Sequence, residues 1–249
     1  MRTGIVAIAA AIALAATAFA KESVFFIGAH PDDLEACMGL ALRMKDDYTV
    51  RVIDFTRGEG GCGEAGFRDG TTAVKRVAEE REICKDFGTE PEFLCQINFQ
   101  GRLAYADAQV TAQIVSLLLK HRPCAVFTHW PVDVHPDHVQ CSAAVQHAVS
   151  IAARDHSFRT ELYFYPEPPW QTKNFRATYY VDVTGVLDRS LELIGKYKCQ
   201  NGTRIAEKKR KRLVEQGGQA PRKVEFAEMY TTFDGEPLPG GVLERFAVK

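Results

Sequence analysis

Short apolar runs rich in β-branched and aromatic residues alternate with amphipathic helical stripes through the first 150 residues, and that alternation permits few folds. Val24–Ile27, Tyr48–Phe55, Phe93–Ile97 and Ala125–Thr128 read as strands. Leu34–Met44, Ala73–Phe87, Ala108–Lys120 and Val139–Ala153 read as helices. Leu34, Met38, Ala41 and Leu42 form the stripe of the first helix, and Gly88 stops the second. Strand and helix at this spacing predict an α/β protein: a Rossmann-like, three-layer α/β/α fold around a mostly parallel sheet. Farther on, Glu161–Tyr165 and Thr178–Val183 read as strands at the far side of that sheet, and Asp188–Tyr197 as a helix. The basic run Glu207–Arg212 reads as a solvated helix face, and Gln216–Arg222 as a turn or loop.

Two of the strands end in chemistry. Val24–Gly28 runs into His30, Asp32 and Asp33, and Val126–Trp130 runs into His135, Asp137 and His138. Strand ends of this kind are where open α/β sheets place their active sites. His30 and Asp33 sit three residues apart across a strand-to-helix turn, and His135 and His138 repeat that spacing around another Pro-Asp. Two imidazoles and a carboxylate on an open face suit a mononuclear metal site, with Zn2+ or Fe2+ as the cation. The plain alternative is Asp32 as a helix cap and His30 as a core histidine, which leaves the co-occurrence of all three residues unexplained. His129 closes the fourth strand beside the site. His121, His147 and His156 read as structural.

The chain has 249 residues, 46% of them apolar, and a formal net charge of -1. Near-balanced charge argues against a phosphate-backbone grip, so no nucleic-acid partner is expected. Arg2, the apolar run Ile5–Ala16 and Ala18-Phe19-Ala20 together read as a signal peptide over residues 1–20. The remainder, 21–249, reads as one domain that is exported, periplasmic or secreted, without stable membrane insertion after cleavage. Homo-oligomerisation is left open. The seven cysteines include no C-x-x-C pair, and their odd number leaves at least one unpaired. Cys95 and Cys124 lie in apolar runs, while Cys62, in a glycine-rich loop, is the better bridge candidate.

Ala29-His30-Pro31-Asp32-Asp33 followed by Gly39, together with His135-Pro136-Asp137-His138, resembles the PIG-L/LmbE family of metal-dependent de-N-acetylases. Thr56–Gly61 is similar to that family's T-x-G-E-x-G loop, shifted by Arg57. Arg76 and Glu79, followed by Phe87-Gly88, match its R-x-x-E helix, and Phe226–Tyr230 its C-terminal Y-A-E-x-F/Y. The resemblance implies an LmbE-like fold and hydrolysis of an N-acetylated sugar of the N-acetylglucosamine type, as small molecule or glycan. It implies His30, Asp33 and His138 as zinc ligands and Asp32 as general base. By the same resemblance His135 stabilises the oxyanion or protonates the amine, Asp137 orients His135, and Arg76 contacts substrate.

The chemistry of these residue types agrees. A bound cation brings the pKa of water to about 7 and polarises a carbonyl. Asp32 can take the water proton, and a protonated His135 can neutralise the oxyanion. Arg57 and Glu59 read as candidates for the pocket mouth, and Trp130 as an aromatic face for a sugar ring, with Trp170 or Tyr165 as alternatives. The rival readings are a metal-dependent amidase on a non-sugar N-acyl substrate and a catalytically silent carbohydrate-binding protein. A dinucleotide-binding role is disfavoured, because the first turn has no G-x-G-x-x-G and its carboxylates would repel a pyrophosphate.

Overall fold

The structure, a computed structural model, describes residues 21–61, 70–94, 98–99, 102–103 and 108–249. The expected signal peptide, Cys62, Cys95 and the end of the Phe93–Ile97 run lie outside the described residues. In chain order the strands are β1 (Ser23–Gly28), β2 (Thr49–Asp54), β3 (Glu92–Phe93), β4 (Asn98–Phe99), β5 (Arg102–Leu103), β6 (Ala125–His129), β7 (Glu161–Tyr165), β8 (Tyr179–Asp182) and β9 (Ala227–Tyr230). The helices are α1 (Met38–Met44), α2 (Gly70–Cys84), α3 (Ala108–His121), α4 (Pro136–Ala152), α5 (Leu187–Ile194) and α6 (Gly202–Gln219).

Five strands form one sheet in the order β3-β2-β1-β6-β7, and every neighbouring pair is parallel. Alternate residues of β1 show why it is sandwiched. Val24 and Phe26 pack with α1, α5 and α6, including Leu40, Leu193 and Leu213. Phe25 and Ile27 pack on the other face against Ile114 and Leu118 of α3 and Val145 and Ala148 of α4. A strand covered on both sides carries a continuous apolar run, which is how this stretch reads. The strand order reverses at β1: the chain steps outward through β2 and β3, then returns to place β6 on the other side. The loops leaving β1 and β6 therefore open into one crevice at the C-terminal edge of the sheet.

Four expectations change. The β8 strand pairs antiparallel with β9 in a separate two-stranded ribbon rather than joining the main sheet. Helix α4 starts at Pro136, with His135 as its N-cap, so the His-Pro-Asp-His stretch forms the first helical turn rather than a loop. The proline, lacking an N–H, suits that first position. Residues Gln216–Gln219 belong to α6, where Leu213 and Gln216 are buried against the body. The basic run is not wholly solvated either. Lys209 is 2% exposed; its ammonium donates to Ala36 O at 2.6 Å and pairs with Glu228 at 3.3 Å.

Glu228 joins the C-terminal ribbon to the start of the site. Its carboxylate accepts from the backbone N–H groups of Gly39 and Leu40 at 3.0 and 2.9 Å and from the Tyr230 hydroxyl at 2.7 Å. These backbone groups are unsatisfied donors of the first turn of α1, so the carboxylate serves as a distant N-terminal cap. Among the described residues no helix is long and apolar enough to cross a membrane.

Candidate metal centre and active site

The turn after β1 brings His30, Asp32 and Asp33 to the mouth of the crevice, and the first turn of α4 brings His135 and His138 to meet them. Asp33 Oδ1 lies 3.5 Å from His138 Nε2, and Asp33 Oδ2 lies 3.7 Å from His30 Nδ1. Both separations exceed a hydrogen bond. Donor atoms about 2.0–2.1 Å from a tetrahedral cation sit about 3.4 Å apart, close to these spacings. Donor atoms of His30, His135 and His138, and likewise of Asp33, His129 and His138, all lie within 4.8 Å of one another.

The rear of each donor is held. Asp33 Oδ2 accepts from the backbone N–H groups of Ala29 and His30 at 2.7 and 2.9 Å, and His129 Nε2 lies 2.9 Å from it. Those contacts leave Oδ1 turned to His138. His30 Nε2 lies 2.9 Å from Asp137 Oδ2, which directs the ring's proton there and leaves the Nδ1 lone pair facing Asp33. Gln171 Nε2 is placed 2.9 Å from His138 Nδ1, and Asp133 Oδ1 lies 3.6 Å from the same ring nitrogen. An amide turned to present its oxygen there accepts the Nδ1 proton and frees Nε2. Metal-binding imidazoles characteristically have their second nitrogen held in this way. Burial alone would raise the Asp33 carboxyl, but the imidazoles of His129 and His138 outweigh it and hold it well below the usual carboxylate range. His138 belongs to both of these close groups, His30 to one and Asp33 to the other, and buried donors anchored in this way suit a divalent cation.

Asp32 stands beside this set. Its backbone has φ 143°, a region that favours glycine, and such strain gathers at functional sites. Burial pushes its carboxyl up to about 6, against the pull of the Arg76 guanidinium it pairs with. His135 lies over His138, ring centroids 4.5 Å apart. Its Nδ1 accepts the backbone N–H of Asp137 at 3.2 Å, so Nε2 carries the ring proton. Burial, with His138 and His30 adding to it, pulls His135 down to about 4. The expectation of a protonated His135 therefore changes: a neutral ring offers a single N–H.

Other expected roles shift as well. The Asp137 carboxylate contacts His30, and only the Asp137 backbone touches His135. Arg76 is 3% exposed. It donates to Pro31 O, Gly61 O and Gly58 O and pairs with Asp32, so it braces the β1 and β2 loops as much as it faces the cavity. Gly58 has φ 74°, and a Cβ there would lie 2.5 Å from Arg76 Nε, so glycine is required on both counts. Arg57 points outward onto Glu59 at 2.9 Å and does not line the cavity. Trp130 is absent from its lining too. The Trp130 indole N–H donates to Lys173 O at 3.1 Å and packs edge-on against Phe175, steadying the loop after β7.

That loop carries Trp170, an expected aromatic, together with Glu167 and Gln171, which the sequence reading missed. The cavity, about 460 Å³, is walled on one side by Glu167, Trp170 and Gln171 and on the other by Ile205, Lys208 and Arg212 of α6. Trp170 is 68% exposed at the rim. Glu167 lies two residues beyond the C-terminal end of β7, a parallel strand, the one signal that could have flagged it. The α6 wall carries no motif.

The sequence model of the PIG-L family, described as GlcNAc-PI de-N-acetylase, matches residues 25–149. Among solved structures, the conserved protein TT1542 from Thermus thermophilus is 25% identical, with TM-score 0.71 over 88% of this chain and 95% of that chain. An N,N'-diacetylchitobiose deacetylase from Pyrococcus horikoshii is 19% identical, with TM-score 0.71 over 86% of this chain and 84% of that one. GalB, the 4-carboxy-2-hydroxymuconate hydratase of Pseudomonas putida, is 20% identical, with TM-score 0.68 over 85% and 96% of the two chains. The last two likenesses establish the fold alone.

Proposed function

The chain belongs to the PIG-L family of GlcNAc-PI de-N-acetylases, and on that premise we propose that it hydrolyses the acetamide of an N-acetylated amino sugar at a zinc centre. The observation that carries the reading is the convergence of His30, Asp33 and His138 with Asp32 alongside, at the spacings given above. His30, Asp33 and His138 would hold a divalent cation, which would supply a Lewis acid and lower the pKa of water there toward about 7. The same donors would also hold Fe2+.

The remaining roles fall to the chain's own side chains. Asp32, with its carboxyl near 6, accepts the proton of the attacking water. The water oxygen adds to the acetamide carbon. His135 Nε2–H donates to the carbonyl oxygen as negative charge builds there, an effect worth about 3–4 kcal/mol in comparable sites. The C–N bond then breaks, and the nitrogen departs with the proton Asp32 took up. Acetate and a free amine are the products. Trp170, exposed at the rim, offers an aromatic face to the sugar ring.

The chitobiose deacetylase likeness favours an amino-sugar substrate, whereas the hydratase likeness shows that this frame also serves other chemistry. Incubating the Zn2+-loaded protein with N-acetylglucosamine oligomers should release acetate, and a chelator should stop it. Silence across a broad panel of N-acetyl sugars would overturn the reading, and turnover of N-acyl amino acids alone would replace it with an amidase. The apolar leader places the protein outside the cytoplasm in this reading. Export should yield a chain beginning at Lys21, which N-terminal sequencing checks; an unprocessed cytoplasmic chain contradicts it.

A further inference from the structure

Two buried polar atoms behind the site face each other and have no hydrogen-bond partner among the described residues: His129 Nδ1 and Glu167 Oε1. They lie 3.5 Å apart. His129 is 0% exposed and Glu167 7%. The other nitrogen of the same ring, Nε2, is 2.9 Å from Asp33 Oδ2. Glu167, His129 and Asp33 thus run in line from the end of β7, through the end of β6, to the turn after β1, crossing three neighbouring strands. The His129 ring is also stacked on His138, centroids 4.0 Å apart and planes 11° from parallel.

We infer that His129 and Glu167 are positioning residues that lock the Asp33 carboxylate with Oδ1 turned to the cation. A carboxylate rotates about its Cβ–Cγ bond, and a donor on Oδ2 fixes which oxygen is presented. An imidazole is rigid, but its tilt is set by what its other nitrogen meets, and here that is Glu167. The stack on His138 keeps the ring plane beside a second ligand. The two residues touch neither cation nor substrate in this role. Their effect is on the affinity and geometry of the centre, and partners of this kind typically change metal affinity 10–100-fold when removed.

The inference rests on the metal-centre reading, and its test separates the two. Zn2+ affinity of the folded, metal-stripped protein is measured by competition with a chromophoric chelator, and the Co2+ form is followed by its visible absorption. His129→Leu should weaken Zn2+ binding about 10–100-fold and alter the Co2+ spectrum. His129→Gln, whose side-chain N–H can replace Nε2–H toward Asp33, should recover most of the loss. Glu167→Gln should weaken binding by a smaller factor. Wild-type affinity in His129→Leu, or no difference between the Leu and Gln variants, overturns the inference while leaving the metal centre standing. If His129→Leu does not fold, Glu167→Gln decides, and unchanged affinity there overturns it. A wild-type protein that binds no divalent cation removes the centre and this inference with it.

Discussion

Asp32 is costly to place. Its φ of 143° is one that few side-chain-bearing residues adopt, and such a conformation costs about 1–3 kcal/mol. Two neighbours impose it: Arg76 on the carboxylate and on Pro31 O, and Asp33 folding back onto the backbone of Ala29 and His30. The strained backbone places this carboxylate beside the proposed cation ligands. Asp32→Asn should therefore keep Zn2+ affinity near wild type while lowering kcat by about 10²–10⁴-fold, the usual share of a general base. Asp32→Gly should be as inactive and yet more stable toward urea, because glycine adopts this φ freely. An active glycine variant would remove the base, and one no more stable than wild type would remove the strain argument. The sequence displayed His30, Asp32 and Asp33 openly, since they adjoin one strand end. It could not display that Asp137 would hold His30 instead of His135. That depends on which way two side chains turn once helix α4 begins at Pro136.

Helix α1 is short, and its position depends on what lies against its first turn. Glu228 reaches from β9 to cap it, and Lys209 of α6 neutralises that buried carboxylate from the other side at 3.3 Å. The C-terminal part of the chain thereby fixes the helix that follows the proposed metal-binding turn. This is a physical reason for a Phe-Ala-Glu-Met-Tyr stretch so far from the site in sequence. Gly39 allows the contact, because a Cβ there would lie 2.6 Å from Val183 Cγ1 and 3.1 Å from Glu228 Oε1. Gly39→Ala should cost about 1–3 kcal/mol in urea unfolding, the range for overpacking a filled site. It should weaken Zn2+ binding as the turn before α1 shifts. Unchanged stability would mean that β8 yields easily and that this junction does not position the site. Helices with an apolar stripe, such as α3, were legible from period alone. Helix α6 was not, because its composition is basic and its buried lysine is paid for by partners near residues 36 and 228.

At the scale of the whole molecule, the parallel order β3-β2-β1-β6-β7 makes two turns about a hundred residues apart in sequence share one crevice. Alternating strand and helix patterns made that sheet predictable. The β8–β9 ribbon was not, because a four-residue apolar run gives no sign of which edge it will join. Closing the crevice gathers carboxyl groups in the interior: Asp54 and Glu80 lie buried close enough to Asp32 and Asp33 to feel their charge. Burial, reinforced by those aspartates, pushes the Glu80 carboxyl up to about 8 from the ordinary 4.5. Between those two pH values the folded chain holds a proton on Glu80 that the unfolded chain has released. Folding stability is therefore intact below about pH 4.5 with respect to this group. It declines as pH rises toward 8, by at most about 1.4 kcal/mol per pH unit. Glu80→Gln fixes the neutral form in place. Its urea midpoint should match wild type near pH 5 and exceed it increasingly up to pH 8–9, whereas parallel midpoints across that range would show that Glu80 is ionised in the fold and compensated by Arg76.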